Sequence, residues 1–237
     1  MTNLRNRLGA AAVVLLGTGC GLIDSDVTNF DLTLPDKNFT IDATGWQVDQ
    51  NAAMTYLNTS CANMPTICAT GAMAACGPDE CSGSCNATTQ RCELALEVSL
   101  YQPIDLLTEK PELKSINDEP VIKVELDSVT YEVTSNTLNV ATPVMTIYVA
   151  PISVMEPTDP LAKAIGTIPA VPAMTTVTTP APIMFTGTGK ADLIAAMSTF
   201  KTPFNIIVGS TLVVTQGQPV PSGKLDAVVH IKGHAGL

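Results

Sequence analysis

The chain has 237 residues, 46% of them hydrophobic but only 4% aromatic, and a formal net charge of −10. That hydrophobic share excludes wholesale disorder, and the length suffices to bury a sizeable core. The acidic balance argues against nucleic acid as a partner and against adhesion to a membrane through a basic patch. It is also uneven, because residues 20–137 hold 18 acidic against 5 basic side chains and residues 138–237 hold 4 against 5.

Arg5 and Arg7 precede an apolar run from Leu8 to Leu16, and the small residues Gly17, Thr18 and Gly19 lead into Cys20. That order is a secretory signal over residues 1–19. The run is far shorter than the roughly 20 residues of a membrane-spanning helix, so no permanent transmembrane anchor is expected. Gly17-Thr18-Gly19-Cys20 resembles the lipobox of bacterial lipoproteins, with Gly17 standing where that family usually has leucine. The resemblance covers residues 1–20 and implies cleavage before Cys20, acylation of Cys20 and attachment to a membrane by that lipid. Gly21 in place of Asp further implies the outer membrane. Cysteine parity agrees: of seven cysteines, six lie between Cys61 and Cys92 and pair among themselves, which leaves Cys20 in need of a role. The alternative is an ordinary signal-peptidase cut after Gly19. Either cut removes two arginines and no acids, so the mature charge becomes −12.

Phe30, Leu32 and Leu34 share one phase, Pro35 to Asn38 read as a turn, and Phe39 and Ile41 resume, which predicts a pair of strands within 22–48. Residues 49–60 have Met54 and Leu57 at helical spacing but read more simply as a lead into the cysteines. Cys61, Cys68, Cys76, Cys81, Cys85 and Cys92 then fall among Gly, Pro, Ala, Ser, Asn and Thr. Three disulfides are expected there, each contributing on the order of 3 kcal/mol, with fifteen pairings open. Zinc is the competing reading for these thiols, but the stretch has no C-x-x-C and no histidine, and an exported chain meets an oxidising compartment. No metal and no cofactor are expected.

After the knot, Leu94, Leu96, Val98 and Leu100 lie on one face of a strand. Residues 102–120 read as an exposed acidic loop with at most one helical turn near Ile104–Glu109. Over 121–135 the phase changes, from Ile122, Val124 and Leu126 to Val129, Tyr131 and Val133, so Asp127-Ser128 should be a bulge, and Ser135-Asn136 a turn. A strand with Met145, Ile147 and Val149 ends at Pro151. Residues 151–182 are crowded with prolines and read as loop and edge. A short strand over 182–186 precedes a helix capped near Thr188 and carrying Ala191, Leu193, Ile194 and Met197. The segments 204–215 and 224–232 are strong strands and most simply form a hairpin with a long loop.

This pattern of short strands and turns predicts an all-β protein, an immunoglobulin-like or related β-sandwich with one short helix and a disulfide-rich insert. The Cys, Trp, Cys spacing of true immunoglobulin domains is absent, since Trp46 precedes all six paired cysteines. The expected organisation is a signal peptide over 1–19, anchor and N-terminal strands over 20–60, the knot over 61–92 and the sandwich over 93–237.

Catalytic motifs are sparse. Gly187-Thr188-Gly189-Lys190 has Met184 where a phosphate-binding loop needs its first glycine, and reads as a turn before a helix. His230 and His234 on a strand would share a side about 13 Å apart, and an exposed His230 beside Lys232 is expected rather than a metal ligand. No G-x-S-x-G occurs, and no catalytic residue is nominated. The leading expectation is therefore a surface or periplasmic binding or scaffolding module, attached through its lipid to a membrane and meeting an envelope protein or surface partner. The loops Glu109–Glu119 and 156–182 are its candidate contacts. A carrier of an apolar ligand or lipid between the sheets is the second expectation, and a hydrolytic enzyme the third.

Overall fold

The computed structural model describes residues 30–77, 81–116, 118 and 121–236. The signal segment and the lipidation expected at Cys20 lie outside the described residues. In chain order the elements are β1 (Phe30–Asp31), β2 (Lys37–Asp42), α1 (Gln50–Leu57), α2 (Thr66–Gly71), β3 (Cys81–Cys85), β4 (Cys92–Ile104) and α3 (Leu106–Glu109). They continue with β5 (Lys123–Asn136), β6 (Met145–Pro151), β7 (Lys163–Ile168), β8 (Val177–Pro182), β9 (Met184–Phe185), α4 (Gly189–Ser198), β10 (Phe204–Val214) and β11 (Lys224–Gly236).

The strands form two antiparallel sheets. One runs β1-β11-β5-β8 with β2 also paired to β11, and the other runs β3-β4-β10-β6-β7-β9. Their inner faces meet where Phe39, Ile41, Leu225, Ala227 and Val229 of the first sheet oppose Leu100, Met145, Ile168 and Val208 of the second. The protein is thus the all-β sandwich expected from the alternation, with aliphatic side chains filling the space that scarce aromatics leave.

Local chemistry explains several elements. In β5 the inward face changes phase at Asp127. Lys232 pairs with Ser128 and Gly233 with Leu126, which leaves Asp127 as the extra residue of a bulge. The bulge keeps Leu126 and Val129 both on the core, and β5 runs on through Asn136 instead of turning there. Helix α4 starts at Thr188 as expected, but no side chain caps its backbone.

Among the described residues three short α-helices accompany α4; α3 is the single turn expected near Ile104–Glu109, and α1 and α2 are not expected from the sequence pattern. In α1 the Asp49 carboxylate accepts from the Ala52 N–H at 2.8 Å, and the buried face is Ala53, Tyr56 and Leu57. Met54 is exposed, so the helical spacing that the sequence offers through Met54 and Leu57 is not the spacing that packs.

The last two long strands do not form a hairpin. β10 lies between β4 and β6, whereas β11 lies in the opposite sheet against β5. The reason is burial on both faces: every residue from Phe204 to Gly209 is buried, which requires neighbours on both edges and a cover on the outer face. The N-terminal strands differ in a related way. β1 pairs with Ala235 and His234, and β2 pairs with Lys224 to Val229, so the two lie end to end along β11 instead of on each other.

The cysteine segment is stitched into the sandwich. Cys61 pairs with Cys85, Cys68 with Cys92 and Cys76 with Cys81. β3 runs antiparallel to β4 from Cys81 opposite Leu96 to Cys85 opposite Cys92, so the knot supplies an edge strand of the second sheet.

Candidate functional site

The first described strand, β1, and the knot mark opposite ends of the sandwich. At one end Phe30 lies opposite Ala235, and the Ile122 N–H reaches the Ser198 carbonyl at the end of α4. At the other end Asp42 meets Lys224, the Asn139 N–H reaches the Ser222 carbonyl, and Cys85 meets Cys92.

Two sizeable concave surfaces open at the knot end. A groove of about 530 Å³ runs between the segment Asn139–Pro143 and the final residues of β10, Thr211 to Val214, and is closed below by Gln218 and Pro219. A second groove of about 540 Å³ shares Gln218 and Pro219 and extends over Gln216 and Gly217 to Met54, Leu57 and Asn58 of α1. Both volumes lie in the range of ligand-binding clefts.

The walls are held firmly. The Asn139 amide donates to the Val220 carbonyl at 2.9 Å and its carbonyl oxygen accepts from the Ser222 N–H at 2.8 Å. The Val171 N–H donates to the Thr142 hydroxyl at 2.9 Å, and the Thr215 N–H to the Gln218 side chain at 2.9 Å. Gln216 donates to Asn58 at 2.7 Å, tying the 216–220 loop to α1. Among the described residues no ionisable side chain lines either groove.

Electrostatic interactions close beside this end. Lys224 and Asp42 pair at 2.6 Å, and the Lys224 ammonium together with the Thr44 hydroxyl and N–H holds the Asp42 carboxyl down at about 2. Tyr56 packs under the knot, where burial, and then the negative Glu93, push its phenol up to about 12.

The structure distributes the remaining sequence candidates elsewhere. His230 and His234 share the outer face of β11. His230 is less exposed than the sequence pattern predicts: its side chain is 19% exposed, and Nδ1 lies 2.7 Å from Asp36 with Nε2 3.7 Å from Glu132. His234 sits between Glu125 at 3.4 Å and Asp127 at 3.3 Å. Among the described residues no three His, Cys, Asp or Glu side chains are arranged to hold a metal ion. Gly187-Thr188-Gly189-Lys190 is the turn into α4. Gly189 is required there because a Cβ would collide with the Ile165 backbone, so the glycine serves helix-to-sheet packing.

The two loops marked as candidate contacts are anchored at a few points and otherwise exposed: Pro111, Glu112, Lys114 and Ser115 face solvent in the first, and Leu161 and Met174 in the second. Leu106 and Leu113 are buried, and Glu109 forms an ion pair with the buried Lys37 at 2.6 Å, which pins the acidic segment to β2. The proline-rich stretch begins as a strap over the outer face of the second sheet, where the Asn205 amide donates to the Ile152 and Val154 carbonyls at 3.0 and 2.7 Å. Between the sheets the space beneath Leu100, Met145 and Val229 measures about 10 Å³, no more than a single water fills. A cleft of about 350 Å³ beside α4 is lined by Val149, Leu161, Ala195 and Phe204, at the start of β10 and so away from the knot.

Sequence reasoning missed the groove. Thr211–Val214 reads as an ordinary strand and Asn139–Pro143 as a connection, and only the strand order shows that they face each other across open space. Compared with protein-family models, with curated proteins and with solved structures, the chain matches none of them.

Proposed function

We propose that this protein is a lipid-tethered binding module of the bacterial cell envelope, held to the outer membrane through acylated Cys20 and presenting its knot end to a partner. The observation that carries the reading is the opposition of tether and groove. Phe30 emerges beside Ala235, while both large grooves open where β11 begins at Lys224. Along β11 these places are separated by about 37 Å, at about 3.4 Å per residue. A module tethered at one end and concave at the other is free to engage a partner away from the membrane. Acylation of an N-terminal cysteine supplies more than one chain, which is what stable anchoring requires.

The test is fractionation of the exporting cell together with mass analysis of the mature N-terminus. Wild-type protein should partition with membranes and begin at an acylated Cys20, and Cys20→Ala should move to the soluble fraction. Membrane retention of the Cys20→Ala protein, or a mature N-terminus without acyl groups, would overturn the tether.

A further inference from the structure

We propose that the groove beside β10 binds an extended, uncharged segment of another protein, which pairs as an added strand with the free backbone edge of Thr211–Val214. The proposal rests on the binding-module reading and names the chemistry of its partner.

β10 is paired with β4 along its whole length, from Phe204 opposite Ile104 to Val214 opposite Leu94. Its pairing with β6 stops at Gly209 opposite Thr146. Past that point Ser210 makes one side-chain contact, its hydroxyl donating to the Val144 carbonyl at 3.0 Å. Among the described residues no backbone hydrogen bond joins Thr211–Val214 to the facing Asn139–Pro143 wall. In an antiparallel strand successive residues direct their N–H and C=O groups to alternate sides, so part of this backbone faces the groove unpaired.

Several other sheet edges are blunted in ways that discourage such pairing, and the edges of β2 and of β4 beyond Leu96 carry the charged Lys37, Asp42 and Glu97. β8 carries Pro180 and Pro182, β1 and β9 are two residues long, and β3 is five residues with a disulfide cysteine at each end. Thr211-Leu212-Val213-Val214 has no proline and no charge, and Val213 is 43% exposed. An unguarded edge of that composition is a template for an added strand.

The lining selects the occupant. Both polar atoms of the Asn139 amide, the Thr142 oxygen, the Gln218 Oε1 and the Thr211 hydroxyl are engaged by hydrogen bonds of the protein itself, so the β10 backbone and the Gln218 amide nitrogen are the polar groups that a ligand meets. With no ionisable side chain among the described residues of the lining, a charged segment would lose hydration without gaining a partner. The wall opposite β10 makes the site a two-sided trough, which does not fit the flat face of a second sandwich. The chain's own N-terminal stretch does not reach it: residues 20–29 span at most about 35 Å fully extended, and start from Phe30 at the far end. The occupant is therefore another protein's extended segment, with β-branched or small apolar side chains on the face toward Val213 and Val140.

The probe is a fluorophore-labelled, end-blocked peptide of alternating Thr and Val, six residues long, titrated into purified mature protein. Saturable binding is expected, with slowed hydrogen exchange of amides within Thr211–Val214. Replacing alternate peptide N–H groups with N-methyl should cost at least tenfold in affinity, which separates strand pairing from apolar adhesion. Ala141→Trp, at an exposed wall position, should fill the trough and weaken binding at least tenfold with the thermal midpoint unchanged; should it unfold the protein, Val213→Glu tests the same edge. No saturable binding, equal binding of the N-methylated peptide, or wild-type affinity in a folded blocking variant would overturn the proposal. None of these results touches the tether, which the Cys20 fractionation tests separately.

Discussion

Pro157 rests on the bare backbone of Gly209, so closely that a Cβ built there would stand 2.5 Å from the proline Cβ. The contact fastens the strap after β6 over the middle of β10, where Ile207, Ala150 and Val154 form a small apolar cluster on the outer face of the second sheet. Ser99 adds a hydrogen bond to Glu156 at 2.6 Å. Gly209→Ala should therefore lift Pro157 and cost about 1–3 kcal/mol, as overpacking does. Limited proteolysis provides the check: cleavage within 152–162 should appear in the variant before global unfolding. An intact strap in Gly209→Ala would show that the contact is incidental.

The disulfides should not contribute equally. Cys61–Cys85 and Cys68–Cys92 each span 24 residues of sequence and Cys76–Cys81 spans 5. On the chain-entropy account, the two long loops are each worth about 3.5 kcal/mol and the short one about 2 kcal/mol. Cys85→Ser should loosen β3 and the segment before it, yet leave β4 paired with β10, because that pairing extends far beyond the knot to Ile104. Denaturant titration of each single-bridge variant, paired as double Cys→Ser to avoid a free thiol, measures the ranking. Equal losses for all three bridges would contradict it.

Lys37 and Glu109 form the most buried ion pair described, with Lys37 only 7% exposed and the second Glu109 oxygen buried without a hydrogen-bond partner. Removing one partner leaves a charge in a dry place. Lys37→Met or Glu109→Met alone should destabilise by about 3 kcal/mol, while the double change to Met at both positions should cost less than either single one. A double-mutant cycle in thermal unfolding decides the matter, and additive losses would mean that the pair is not coupled.

Legibility of the fold followed how local the cause was. The bulge at Asp127 was readable because a phase change of apolar residues within one strand has one economical explanation. The end-to-end arrangement of β1 and β2 was not, since a turn sequence at Pro35–Asn38 says nothing about which strand both halves will meet. β10 and β11 looked like a hairpin because they are consecutive and strong. What separates them is the continuous burial of Phe204–Gly209, a property of their neighbours and not of their own alternation. The groove was the least legible feature, for it is made by the absence of a neighbour beside Thr211–Val214. The cysteines were identifiable as a set, but their pairing depends on β3 joining β4, which spacing does not reveal.

Alkaline pH offers a final test, through Tyr56. Its hydroxyl donates to the Cys68 carbonyl at 2.9 Å and lies 3.3 Å from the Glu93 carbonyl, beneath the knot. Burial, with the negative charge of Glu93 adding to it, holds the phenol protonated up to about 12, above its ordinary value of 10.0. A group whose ionisation is raised by folding leaves stability undiminished below the unfolded value and erodes it as pH climbs toward the folded one. Stability should therefore fall between about pH 10 and 12 as the unfolded chain ionises first. Tyr56→Phe removes that titration, so the alkaline decline should flatten, at a cost near neutral pH of about 1 kcal/mol for the lost hydrogen bond. Denaturant midpoints measured across this range, followed with tyrosinate absorbance, give the answer. A decline of the same steepness in Tyr56→Phe would place the alkaline sensitivity elsewhere in the molecule.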